Sequence, residues 1–452
     1  MDHERTVYNH GTVAIEDGLI VDVGSSTELA KRHKAEKTID ATNMAVLPGF
    51  VNTHTHLFQT LLRSLGDDLK LMDWLPIIVF SDVDRLCAED CYYGAVTGCL
   101  ELIRSGCTCT VDNHVSTDIS LSNHCIQGLD DVGIRAVFSL LALDCDVFEM
   151  GIRPSVLMNT EKALKETDAL IRKWHGKGDG RLHVWPGAGS PFSASKEFLI
   201  KGYQLSKKYK VGFCTHLHET QDEVRNWTAN FGMTPIKYCK EELGILDSNL
   251  LAAHCVWLSD EDIQLLKENN VKVSHNPVSN MYLASGVAPI PKLLRAGVTV
   301  GLGVDGAASN NNQDMFEVIK TTALLQKVAT LDPVAITAEK VLEMATIDGA
   351  RTLGLEKEIG SIEKGKKADI ILVNLKKANM TPINRVVSQL VYCARASNVN
   401  TVIIDGKLVM ENREIKSVNE EEILMRTQEA TDRLVERAEV AHLRKRPWIS
   451  KP

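Results

Sequence analysis

The residues best equipped for chemistry are four imidazoles and two carboxylates, most of them closing an apolar run. His54-Thr55-His56 ends Val46 to Thr53, His216 follows Val211 to Thr215, His254 ends Leu250 to His254, and Asp305 follows Val298 to Val304. In an extended segment, residues two apart point the same way, so His54 and His56 can reach one ion. A His-x-His pair alone is a common surface feature; the weight comes from repetition. Burying an unpaired imidazole or carboxylate costs several kcal/mol, so placing one at strand end after strand end is best explained by a shared ion. Three neutral imidazoles and a carboxylate, with a position open for water, suit one divalent first-row metal, Zn2+ or Fe2+, and the sequence does not choose between them. Water held by such an ion loses a proton near neutrality, and Asp305 is placed to accept it. Glu219, three residues beyond His216, is a candidate proton donor. His254 either orients the attacking water or ligates the ion directly. His218 and His275 are either further site groups or side chains that pack and cap nearby backbone.

Positioning these groups requires a frame. Eight apolar runs of strand length alternate with segments of helical period: Val46 to Thr53, Cys107 to Asp112, Ile134 to Leu140, Leu182 to Pro186, Val211 to Thr215, Leu250 to His254, Val271 to Ser274 and Val298 to Val304. Eight βα units predict an α/β fold, a (β/α)8 TIM barrel, whose chemistry belongs at the C-terminal ends of its strands. Before the barrel, Thr12 to Gly24 alternates about an Asp17-Gly18 turn; after it, Ile359 to Val373 and Val402 to Val409 read as strands, the latter with an Asp405-Gly406 turn. These flanks predict a small β-sandwich domain built from both termini. The expected division is sandwich over 1–46, metal-dependent barrel over 47–358, sandwich again over 359–415 and an exposed helical tail over 416–452, able to pack on a neighbour.

The 452 residues carry a formal net charge of −8, with 44% hydrophobic and 24% charged residues. No basic patch favours nucleic acid or a membrane surface, and no apolar stretch has the length of a membrane span or a secretory signal. A soluble, cytoplasmic protein with a small-molecule partner is expected. The eleven cysteines lack paired CxxC spacing, which predicts buried free thiols.

Nearly the whole chain is similar to the amidohydrolase superfamily, in its deaminase and chlorohydrolase branch. The likeness rests on Leu47-Pro48-Gly49-Phe50-Val51-Asn52-Thr53-His54-Thr55-His56 and on Thr215-His216-Leu217-His218-Glu219-Thr220. It implies a mononuclear site with His54, His56, His216 and Asp305 as ligands, Glu219 as proton shuttle and His254 as water-orienting residue. It also implies a dimer or larger homo-oligomer. Relatives carry a longer front, so the first sandwich strand is expected to be missing.

Two groups within the branch compete. Asp67 to Leu75 and Asp305 to Asn311 resemble methylthioadenosine/S-adenosylhomocysteine deaminases, whereas Gln59 to Arg63, Ala253 to Val256, Val278 to Pro289 and Met344 to Arg351 resemble s-triazine hydrolases. Trp185 to Phe192 has no histidine where the nucleoside deaminases usually carry one, which favours a bare heteroaromatic ring: an s-triazine, a purine base or a pterin. Gln59 and Trp74 are then candidates to meet ring nitrogens and a ring face, with Asn113, Ser309 and Asn310 as further substrate-binding candidates and His114 beside them; core packing or turn roles are the alternatives. Glu219 favours deamination over dechlorination, because a leaving amine and a dearomatised nitrogen need protons and chloride does not. The rivals are a non-catalytic metal scaffold, which would lack ligands, and a binuclear amide hydrolase, which would carry a lysine at the end of the fourth strand.

Overall fold

A computed structural model describes residues 1–2 and 4–445. Eight parallel strands close a barrel: β4 (Phe50–Thr55), β5 (Cys107–Val115), β6 (Arg135–Ala142), β7 (Leu182–Ala188), β8 (Phe213–Leu217), β9 (Leu250–His254), β10 (Lys272–His275) and β11 (Thr299–Leu302). Six more strands lie at the termini besides β3 (Met44–Pro48): the hairpin β1 (Gly11–Glu16) and β2 (Leu19–Ser25) in front, and β12 (Ile370–Asn374), β13 (Val399–Ile404), β14 (Lys407–Glu411) and the two-residue β15 (Glu414–Ile415) behind. The order β15-β14-β13-β12-β3 forms an antiparallel sheet, and the hairpin lies over it, tied by Ile20 N–H to the Lys366 carbonyl at 2.8 Å and Ala368 N–H to the Gly18 carbonyl at 2.9 Å. The flanking sandwich is therefore built from both termini.

The run Val46 to Thr53, expected as one strand, is two. It breaks at Gly49, whose N–H donates to the Asp369 carbonyl at 2.9 Å; β3 before it pairs with β12, and β4 after it enters the barrel. Glycine is required because a Cβ there would lie 2.0 Å from Thr108 Oγ1. Periodicity could not reveal the break, since both halves are equally apolar.

β12 serves two cores through strand alternation. Ile371 and Val373 pack into the barrel core, whereas Ile370 and Leu372 pack with Ile20, Ala368 and Ile403 beneath the hairpin. Each such side chain contributes about 1.5–3 kcal/mol on burial. At the junction Arg135, 1% exposed, donates from Nε and Nη2 to Asp369 at 2.8 and 3.0 Å. Asp369 also accepts the Asp405 N–H at 2.8 Å, locking the β13–β14 turn to the barrel floor.

The tail differs from expectation. Its helix, Glu420–Arg437, packs on this chain's own helix Ala88–Arg104 rather than standing free: Ile423, Ala430 and Leu434 are buried, Thr97 and Thr427 share a 2.6 Å hydrogen bond, and Arg104 Nε donates to Glu420 at 2.8 Å. The end of the expected tail, residues 446–452, lies outside the described residues. All eleven cysteines are free, and among the described residues no helix is long and apolar enough to cross a membrane.

Candidate active site

His54 and His56 stand at the end of β4, His216 in β8, His254 at the end of β9 and Asp305 just past β11, all at the C-terminal rim. Ligand atoms of His54, His56 and His216 lie within 4.8 Å of one another, as do those of His54, His254 and Asp305. His254 and Asp305 adopt left-handed backbone, at φ 73° and 69°. That conformation costs about 1–3 kcal/mol outside glycine and is held by the surroundings. The Asp305 N–H donates to the His54 carbonyl at 2.9 Å, and its own carbonyl accepts from Thr55 Oγ1 at 2.8 Å and Gln313 Nε2 at 2.7 Å.

The tautomers follow from the outer hydrogen bonds. His56 Nδ1 lies 2.5 Å from the Asn113 carbonyl and His216 Nδ1 lies 2.6 Å from the Gly189 carbonyl, so each Nδ1 carries the proton and each Nε2 presents a lone pair. The two Nε2 atoms are 3.3 Å apart. Two lone pairs cannot hydrogen-bond to each other, and this is the separation two imidazoles keep at about 2.0–2.1 Å from a tetrahedral ion. His54 Nε2 is buried with no protein partner, and Asp305 Oδ1 is 3.6 Å from the Nε2 atoms of both His54 and His56. The donor set therefore fits a divalent cation. Burial and the neighbouring imidazoles push His54 and His216 well below the usual histidine range, keeping both neutral.

Glu219 is buried at the same rim. Burial and the nearby Asp305 carboxylate push its carboxyl well above the usual range, so it holds its proton. His254 Nε2 is 3.5 Å from Glu219 Oε2 and 3.8 Å from Asp305 Oδ2, while its Nδ1 donates to Asn280 Oδ1 at 2.9 Å.

Two positioning residues escaped the sequence reading. Asn280 orients His254 from a short helix, Pro277–Tyr282, with no pattern to mark it. Glu223 accepts the Glu219 N–H at 2.8 Å and the His218 N–H at 3.1 Å, pinning the loop that presents Glu219; burial, and then Glu219, raise its pKa to about 7. Its signal was legible: Thr220-x-x-Glu223 is a capping box for the helix Gln221–Phe231.

A recess of about 650 Å³, open to solvent, leads to these groups, and Gln59, Trp74 and Ser309 line it. Trp74 Nε1 donates to the Ala308 carbonyl at 3.2 Å and Ser309 Oγ to the Gly306 carbonyl at 3.1 Å; Gln59 Oε1 is buried without a protein partner. Asn113 and Asn310, expected to meet substrate, do not line it. Asn113 lies inside β5 with its amide 2.7 Å from His54 Nδ1, behind the imidazoles, and Asn310 Nδ2 donates to the Val304 carbonyl at 2.5 Å. His114, also inside β5, is wedged between Phe58 and Phe138. His218 is engaged through the Trp257 carbonyl at 2.8 Å and the Ile236 N–H at 3.2 Å, and His275 is buried without lining the recess.

A family model described as "Amidohydrolase family" matches residues 45–409. The chain is 41% identical over 441 residues to a 5'-deoxyadenosine deaminase of Methanosarcina acetivorans, covering 97% of this chain and 96% of that protein. It is 38% identical over 434 residues to a 5-methylthioadenosine/S-adenosylhomocysteine deaminase of Desulforamulus reducens, covering 96% of each. Among solved structures, an adenosine deaminase from Xanthomonas campestris with bound zinc superposes with a TM-score of 0.87 at 30% identity, covering 96% of this chain and 95% of that one. With its closed barrel, its flanking sheet and this match over most of its length, the chain belongs to the amidohydrolase family.

Proposed function

We propose that the chain is a hydrolytic deaminase of an adenosine-like nucleoside, with His54, His56, His216 and Asp305 holding one divalent metal, Zn2+ or Fe2+. The observation that carries this reading is the pair of bare Nε2 lone pairs, 3.3 Å apart, beside a buried carboxyl that keeps its proton. Asn113 Nδ2 lies 2.7 Å from His54 Nδ1; exchanging the ends of this amide would let its oxygen accept from Nδ1–H and leave His54 Nε2 to join the same donor set. The ion would supply electrostatic activation of a water at neutral pH.

The protein groups do the proton work. Asp305 accepts the proton of the water as its oxygen bonds to the amine-bearing ring carbon. Glu219 gives its proton to the adjacent ring nitrogen, whose lone pair gains density as aromaticity is lost. The proton on Asp305 then reaches the amino group, the remaining hydroxyl proton returns to Glu219, the C–N bond breaks and ammonia leaves, with the ring retained as the oxo product and both carboxyl groups restored. His254, fixed by Asn280, faces both carboxyl groups and orients the water. The nucleoside preference is supported by the deaminase relatives that match at 38% and 41% identity.

A second reading, a bare heteroaromatic ring, is favoured by the wall at Gly189. No histidine stands in Trp185 to Phe192, and a Cβ at Gly189 would lie 2.4 Å from Leu143 Cδ2. The test is ammonia release by metal-loaded protein offered adenosine, 5'-deoxyadenosine, methylthioadenosine, guanine and melamine. Turnover of the nucleosides is the expected result; turnover of the bare rings alone would replace the first reading with the second. Removing the metal with a chelator should abolish ammonia release, and returning Zn2+ or Fe2+ should restore it.

A further inference from the structure

A second set of metal-ligating side chains lies on the other face of the barrel wall. Asp112 and His114 are two apart in β5, on the face opposite Asn113, whose amide reaches His54. Cys125 joins them from the helix Ile119–Val132. Ligand atoms of the three lie within 4.8 Å of one another, the same limit as in the two rim triads, and all three residues are fully buried. Cys125 Sγ donates to Asp112 Oδ2 at 3.1 Å, and Asp112 Oδ1 accepts the Leu57 N–H at 2.9 Å. His114 has no such bond: both of its ring nitrogens are buried without a protein partner, between Phe58 and Phe138. Burial lowers its pKa to about 3, so the imidazole is neutral and one nitrogen carries an unused lone pair. A buried polar group left in that state is a standing cost to the fold.

The charges of this set close around a divalent ion. Asp112 as carboxylate and Cys125 as thiolate carry two negative charges, His114 adds a neutral nitrogen, and a doubly charged cation leaves the buried cluster neutral. The ion takes the place of the thiol proton, which leaves to solvent. Mixed sulfur, nitrogen and oxygen donors suit zinc, and not magnesium or calcium, which take oxygen. Cys91 and Cys99, buried on the helix Ala88–Arg104, are near enough to feel the Asp112 charge, so further thiols stand by as a fourth ligand. We propose that Asp112, His114 and Cys125 form a second, structural Zn2+ site between the barrel wall and its helices. The site backs directly onto the rim: Asp112 holds the N–H of Leu57, the residue after His56, and the Asn113 carbonyl, between the two strand ligands, lies 2.5 Å from His56 Nδ1. An ion here fixes the stretch of β5 that orients His56 and touches no substrate.

The test is cobalt substitution, because the rim set is nitrogen and oxygen, and only a thiolate ligand gives Co2+ an intense near-ultraviolet charge-transfer band. Full-length protein produced in metal-depleted medium supplied with Co2+ is expected to carry two ions per chain and to show that band. Cys125→Ser and His114→Leu should each lose the band and one ion per chain. The double variant His54→Ala, His56→Ala should lose the rim ion and keep the band. Wild-type protein without the band would overturn the inference whatever its ion count, and that result needs no variant to fold. A band that survives Cys125→Ser or His114→Leu would overturn it as well, since a different set of side chains would then hold the ion. A band that behaves as expected in protein that releases no ammonia from any substrate would support this site while the deaminase reading fails.

Discussion

The two ends of the barrel both bury charge, and they treat it differently. At the floor, Arg135 meets Asp369 through two hydrogen bonds, and Asp369 takes a third from the Asp405 N–H. At the rim, His54 Nε2 and Gln59 Oε1 are buried with no protein partner, and two imidazole lone pairs face each other. Satisfied buried charge holds domains together, whereas unsatisfied buried polarity marks a place built for something not in the chain. The floor is a fastening and the rim a receptacle.

That contrast can be broken by exchanging activity for stability. Glu219→Gln at the rim should lower kcat by about 10²- to 10⁴-fold, the range for a lost proton donor. Its Tm should stay level or rise, since a buried acid becomes a neutral amide; a lowered Tm with activity retained would erase the distinction. Arg135→Ala at the floor should do the reverse, costing about 3–5 kcal/mol in denaturant unfolding because Asp369 is left buried and unpaired. The kcat of the molecules that remain folded should be unchanged.

Smaller changes sharpen the boundary. Asn280→Ala frees His254 to rotate and should lower kcat about 10- to 100-fold, the range found for partners that orient site imidazoles. Binding of a non-reactive substrate analogue, measured by calorimetry, should change little. Lys407→Ala removes an exposed ion pair with Asp179 and should leave both Tm and kcat where they are.

How legible each end was follows from its chemistry. Rim groups follow apolar runs, and a histidine or aspartate there breaks the pattern visibly; His54, His56, His216, His254 and Asp305 stood out for that reason. Glu219 stood out by its spacing from His216. The barrel was legible because eight runs repeat. The floor was not: Arg135 looks like any charge at a strand start, and its partner Asp369 lies 234 residues away. Asn113 was visible as a residue but not as a role, because the sequence cannot say that β5 continues to Val115 and turns this amide toward His54. The lining from Leu71 to Phe80 was not legible, because its path beside the rim is set by tertiary packing. The absence of a histidine from Trp185 to Phe192 weighed for a bare ring, whereas the relatives matched at 41% and 38% identity are named as deaminases of adenosine-like nucleosides.

The break at Gly49 bears on which changes of length this molecule tolerates. β3 is held in register by β12, and β4 begins immediately after the glycine, so five residues separate that anchor from His54. Side chains alternate along a strand, so one residue gained or lost in that interval would turn His54 and His56 out of the barrel. The loops above the rim can lengthen as lineages diverge, but this interval is a fixed ruler: the flanking sheet sets the phase at which the first two imidazoles enter the site.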